Sequence, residues 1–335
     1  MIRHKKHATF LLISMCSSFL LLTSCGHNNT SRSIDSPSRD ETSTLAEETQ
    51  PLASDVDKSD SSAKGSRDNT PECLIPSADG LITYGNDSVT IDASHTDSGY
   101  IMVQYSGTVQ KVKLQITGPN NITYTYNLSS SYEAFPLASD NGNYKLAVYE
   151  NIQADQYSTL FENTIAVDIQ NEFLPYLYAN QYVNFTESSD CIGLAEDLAA
   201  SANNDLDVIA STYNYIIDNI TYDYDKATSV QSGYIPDVDN VLSTKTGICF
   251  DYASLMAAML RSQKIPTRLE IGYVGEAYHA WISTYIKDIG WVNGIIEFDG
   301  DKWTLMDPTF AANSSEASLK DFIGNGSNYM TKYIY

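Results

Sequence analysis

The stretch TGICFDYASLMAAMLRS, from Thr246 to Ser262, constrains the fold more than any other part of this chain. Cys249, Tyr252, Ala253, Met256, Ala257 and Leu260 recur at helical spacing and share one face. Phe250, Leu255 and Met259 widen that face until the helix is apolar nearly all round. Such a helix has no side to offer water, so it is predicted to run through the centre of a domain. Gly247 permits a tight approach of the backbone just ahead of it. Cys249 falls in the first turn, where unpaired N–H groups and the helix dipole favour a thiolate.

The elements around that helix follow from periodicity. CIGLAEDLAASA and DLDVIASTYNYIIDNI show apolar residues three and four apart and are predicted helices. Downstream, TRLEIGYV, YHAWISTYI, GIIEFDG and KWTLMD are strand candidates. Helices followed by strands indicate an α+β domain over residues 173–335. Residues 73–172 are different. SVTIDAS, GYIMVQYSG, VKLQITG, ITYTYNLS, NYKLAVYEN and NTIAVDIQ are short runs rich in Val, Ile, Thr and Tyr, punctuated by GPNN and SDNGN. Short strands with turn signals at such spacing predict an all-β sandwich, and DNGNYKLAVYE resembles a late strand of an immunoglobulin-like domain.

The first 72 residues are predicted to contribute nothing to either core. Arg3, Lys5 and Lys6 precede an apolar run from Ala8 to Leu22, the pattern of a secretory signal over residues 1–24. The run ends in LLTSC, which resembles a bacterial lipobox. That resemblance implies cleavage before Cys25, a lipid on its sulfur, and a membrane-anchored location outside the cytoplasm. From Cys25 to Glu72, Ser, Thr, Asp and Glu dominate and aromatics are absent. This composition predicts a lipidated, disordered tether with an end-to-end distance of roughly 35–40 Å. After removal of the leader, 17 basic and 42 acidic side chains leave a formal charge of −25. A surface this acidic repels nucleic acid and anionic lipid headgroups and disfavours polyanionic substrates, and solubility is its simplest cause.

Cysteine and histidine are scarce enough to count. Cys16 leaves with the leader and Cys25 is the lipidation site, so Cys73, Cys191 and Cys249 remain. An odd number outside the cytoplasm leaves at least one free thiol. Pairing of Cys73 with Cys191 is open at this point, and Cys249 is then the thiol left over. A thiolate nucleophile needs a base and a group to orient it. Within residues 173–335 the sole histidine is His279, on a strand whose alternation places it with Trp281, Ser283 and Tyr285. Asp307 closes the apolar stripe of Trp303 and Leu305 before Pro308 stops the strand. If those two strands are antiparallel neighbours, Asp307 and His279 form a cross-strand pair.

These residues resemble the bacterial transglutaminase-like superfamily. Gly247, Cys249 and Tyr252, then Ile265 and Pro266, then His279, Ala280 and Trp281, then Asp307, Pro308 and Thr309 fit its pattern in order, over about 200–312. The resemblance implies a papain-like α+β core with Cys249 as nucleophile, His279 as base and Asp307 as orienter, and no cofactor. Two features depart from the pattern. Thr246 stands where a second glycine is common, and IKDIGWVNGIIEFDG lengthens the stretch between Trp281 and Trp303.

The expected chemistry is attack of Cys249 on a protein or peptide amide to give a thioester. An amine acceptor makes the protein a transglutaminase. Water makes it a protease or amidase acting on cell-wall or surface peptides. The same fold also serves as a catalytically silent binding module. A metal site at Cys249, His279 and Asp307 is disfavoured, because the three lack the close ligand pairs of most zinc sites. The main-chain N–H of Cys249 is one oxyanion donor, with Tyr222 and Tyr234 as candidates for the second.

Overall fold

A computed structural model describes residues 64–274, 276–293, 296–298, 303–305 and 329–335. The described residues form one compact unit. Its first part is all-β: β1 (Thr83–Gly85), β2 (Val89–Asp92), β3 (Tyr100–Tyr105), β4 (Val112–Thr117), β5 (Thr123–Asn127), β6 (Glu133–Pro136), β7 (Gly142–Gln153) and β8 (Gln156–Val167). They form two four-stranded antiparallel sheets, ordered β1-β2-β3-β6 and β5-β4-β7-β8. Alternation explains the layering. In β4, Val112, Leu114 and Ile116 are buried while Lys113, Gln115 and Thr117 are not. Buried residues of both sheets, among them Ile91, Val103, Leu114 and Phe135, belong to one apolar cluster. β1, β6 and the first half of β8 escape the sequence pattern, because two are very short and the third is half-buried without a regular alternation.

Among the described residues five helices follow: α1 (Asp190–Ala199), α2 (Asp205–Asn219), α3 (Tyr224–Ser229), α4 (Val238–Thr244) and α5 (Cys249–Ser262). Two-residue strands β9 (Thr221–Tyr222) and β10 (Thr246–Gly247) pair in parallel between them. α5 is central, as its all-round apolar pattern requires: every residue from Asp251 to Ser262 is buried. It packs against a sheet of β11 (Thr267–Val274), β12 (Ala277–Ile286), β13 (Gly290–Asn293) and β16 (Tyr329–Ile334), in the antiparallel order β13-β12-β11-β16. β14 (Ile296–Phe298) and β15 (Trp303–Leu305) pair with each other in a separate hairpin. Mixed helix and strand content matches the expected papain-like α+β core.

Tyrosines join the two parts. Tyr182 stands 5.6 Å from Tyr126 of β5, 4.7 Å from Tyr335 and 5.4 Å from Phe250 of α5, measured between ring centroids. Arg261, on α5 and 1% exposed, completes the junction. It donates to the carbonyls of Thr267, Tyr178 and Tyr335.

The tether boundary expected at residue 72 needs correction. Gly65 N–H donates to Ala200 O, Glu72 N–H to Ser262 O, and Arg67 pairs with Asp205 at 2.7 Å. Residues 65–72 thus lie along the ends of α1, α2 and α5. Their polar composition suits this place, because helix termini present unpaired backbone groups. The leader, Cys25 and the tether up to residue 63 fall outside the described residues.

Candidate active site

Cys249 opens α5 with its N-terminus fixed by Asp251. Ile248 N–H donates to Asp251 Oδ2 at 2.8 Å, a cap made from the third helical position. Gly247 has a reason beyond a tight turn: a Cβ there would sit 2.7 Å from the Asp251 Cβ. Asp251 itself is fully buried and receives Lys226 Nζ at 2.7 Å and the Tyr234 hydroxyl at 2.5 Å. Lys226 also donates to the Tyr234 hydroxyl at 2.6 Å. The polar loop after α2 is therefore tied to the start of the nucleophile helix. Gly233 secures its other side, with φ at +90° and its Cα so near Asn127 of β5 that a side chain would collide with it. An acid inside an otherwise apolar helix was the available sign of this network. Its partners, 25 and 17 residues away, carry no local sign.

The thiol sits among backbone donors. The N–H groups of Phe250 and Ala280 and the Tyr222 hydroxyl lie near enough to the Cys249 thiol to pull its pKa down. Ala280 lies on β12 beside His279, so the strand carrying the imidazole is within hydrogen-bond reach of the nucleophile. Cys249, His279, Tyr252, Ala253, Ala280, Trp281 and Ile282 line one narrow pocket. Two of the three expected catalytic residues are thereby brought together. Asp307 lies outside the described residues. Among the described strands β15 pairs with β14, and β12 pairs with β11 and β13.

Electrostatics correct one expectation. Burial pushes the Cys249 thiol above its ordinary pKa and outweighs the backbone N–H donors that pull it down. Burial likewise lowers His279 to about 4. The resting pair is thus a neutral thiol beside a neutral imidazole, not the thiolate a helix start alone would favour. Such a pair reacts when the imidazole takes the thiol proton as the sulfur attacks. Tyr234, one candidate oxyanion donor, is committed to Asp251 and Lys226. Cys73 and Cys191 are free thiols, and Cys191 is fully buried.

Residues 192–294 match the family model of the transglutaminase-like superfamily. The chain carries a transglutaminase-like domain. The chain is 26% identical over 177 residues to the uncharacterized protein YebA of Bacillus subtilis, covering 46% of this chain and 23% of that one. It is also 29% identical over 92 residues to the UPF0252 protein MJ1282 of Methanocaldococcus jannaschii, covering 24% of this chain and 26% of that one. The chain thus spans about a quarter of the length of these relatives. Among solved structures it is similar to a candidate cysteine protease from Cytophaga hutchinsonii, with a TM-score of 0.32, 17% identity, and coverage of 68% of this chain and 69% of that one. The periplasmic domain of TgpA from Pseudomonas aeruginosa gives a TM-score of 0.28 at 13% identity, over 74% of this chain and 100% of that one. Red sea bream transglutaminase gives 0.26 at 12% identity, over 63% and 48%. At these scores the functional reading rests on the site itself.

Proposed function

We propose that this protein is a cysteine acyltransferase that acts on protein or peptide amides through a thioester at Cys249. The observation that carries the proposal is the seat of the thiol. Cys249 stands at the start of a buried helix, in a pocket it shares with His279. His279 takes the thiol proton while Sγ bonds to the amide carbon and the carbonyl pair moves onto oxygen. The C–N bond then breaks, and His279 returns the proton to the departing amine. An incoming amine or water attacks the thioester, giving its own proton through His279 to the released thiolate. Asp307 is proposed to hold the imidazole tautomer, as carboxylates do in comparable triads.

The proposal includes the setting. The leader and LLTSC support a lipid anchor at Cys25, a location on the outer face of the membrane, and substrates among wall peptides and surface proteins. The strongly acidic chain suits partners bearing amines. The two sheets of residues 83–167 are proposed to be immunoglobulin-like. The purified protein should be incubated with a glutaminyl peptide and a labelled amine, beside a peptide hydrolysis assay. Cys249-dependent incorporation identifies an amine acceptor, and Cys249-dependent cleavage identifies water. If wild type and Cys249→Ala are alike in both assays, a binding role replaces the acyl-transfer reading.

A further inference from the structure

Loops of the all-β part and strand β11 enclose a polar cavity of about 210 Å³. We infer that this cavity binds a free α-amino acid, its carboxylate on Arg268 and its ammonium between Asp140 and Glu172. The cavity shares no lining residue with the pocket of Cys249, so the inference stands independently of acyl transfer.

The backbone and two rings fix the cation. Alternation along β11 turns Leu269 and Ile271 to one face and Arg268 and Glu270 to the other. Arg268 stands opposite Ser283 of β12. Its guanidinium carbon lies 3.7 Å from the Trp291 ring centroid and 4.7 Å from that of Tyr176. The two rings meet edge-on at 5.3 Å and form one corner around it. Stacking leaves the in-plane N–H groups to find oxygen partners. Nε is buried and has no hydrogen-bond partner among the described residues. A buried donor left that way is costly and calls for a partner. Glu270, on the same face, does not supply one. It accepts from the Ser283 hydroxyl and from Thr331 Oγ1 at 2.7 Å.

The remaining wall restricts what that partner is. Asp140 and Glu172 are exposed and both line the cavity. Neither forms an ion pair with Arg268 among the described residues. Opposite charges therefore border one space without meeting, and a single ligand that bears both charges satisfies them together. A carboxylate fits the guanidinium edge through Nε and one Nη, in two parallel hydrogen bonds. A plain anion would meet two carboxylates at the rim, and a plain cation would leave Nε unpaired. Leu137, Ile169 and Pro175 supply an apolar wall for a small side chain. The volume is below the roughly 300 Å³ at which drug-sized pockets begin, which suits one amino acid better than a peptide.

The loops that carry the acids are tied down. Asn141 Oδ1 accepts from Ile169 N–H at 2.7 Å, and its Nδ2 donates to Asp168 Oδ1 at 3.0 Å. These bonds join the loop before β7 to the segment after β8. The buried Tyr144 hydroxyl donates to Asp140 O at 2.8 Å. A wall held in this way loses little freedom when a ligand enters.

Isothermal titration calorimetry of the purified protein with glycine, L-alanine, D-alanine and L-leucine, each up to about 10 mM, tests the site. At least one should bind one-to-one. Removing either charge from that ligand, as its des-amino acid or its decarboxylated amine, should weaken binding about tenfold or more. Arg268→Gln should abolish the binding heat. Both acids are exposed, and Asn tolerates the +59° φ of residue 140, so the double variant Asp140→Asn with Glu172→Gln should keep the fold, as circular dichroism will verify. It should weaken the amino acid about tenfold, while the des-amino acid binds as well as before or better. No heat from any of the four in wild type overturns the inference and makes water the partner of Nε. Equal binding of amino acid and des-amino acid to wild type also overturns it, since the cavity would then be a plain anion site. Binding that survives Arg268→Gln, or an amino-acid affinity unmoved in the folded double variant, overturns it as well.

Discussion

The three-way contact of Lys226, Tyr234 and Asp251 makes a quantitative prediction. Asp251 has no solvent exposure, and Lys226 retains 26% of its side-chain exposure. In Lys226→Met the carboxylate loses a partner at 2.7 Å and keeps only Ile248 N–H and the Tyr234 hydroxyl. Stranding one member of a buried pair costs about 3–5 kcal/mol. Two surviving hydrogen bonds and the partial exposure of Lys226 reduce this to about 2–3 kcal/mol. Asp251→Asn keeps volume and the bond from Ile248 N–H, and leaves a lysine that can turn to water, so it should cost about 1–2 kcal/mol. The double variant strands no charge and should cost about 2 kcal/mol, well below the sum of the singles. Urea unfolding of the full chain, followed by circular dichroism, yields all three values from midpoints at constant slope. Additivity within about 0.5 kcal/mol, or a Lys226→Met cost below that, would refute the claim that this pair clamps the loop to the nucleophile helix.

Three further outcomes are expected. The depressed His279 pKa of about 4, against 6.5 unfolded, means that the unfolded chain binds the extra proton between these values. Stability should therefore rise with pH from 4 to 6.5 by about 3 kcal/mol and level off above, and His279→Gln should flatten that slope in urea midpoints taken across the window. Arg261→Met takes the guanidinium from the carbonyls of Thr267 and Tyr178, while Tyr335 O keeps Leu269 N–H, and should cost about 3 kcal/mol, with Arg261→Lys recovering only part, as read from thermal melts. Iodoacetamide with peptide mapping should label Cys249 well before Cys191, which is fully buried, and labelling should accelerate steeply up to pH 9 because the Cys249 thiol is raised; equal rates for the two would contradict the geometry.

Local pattern alone determined the parts that answer to burial. The period of α5 required a central helix whatever surrounded it, and the alternation of β11 and β12 set which residues face together. Cys249 at a helix start and His279 on a neighbouring strand were legible for the same reason. Polar interactions across the chain were not. Residues 65–72 read as linker because nothing apolar marks them, yet helix ends that only the folded chain presents give them partners. Lys226 lies 25 residues from the partner that gives it meaning, a separation that carries no periodic signal. The charge state of the thiol was decided by tertiary structure in the strongest sense. A helix start favours the thiolate locally, but desolvation depends on everything packed over the site, and here it is the larger effect.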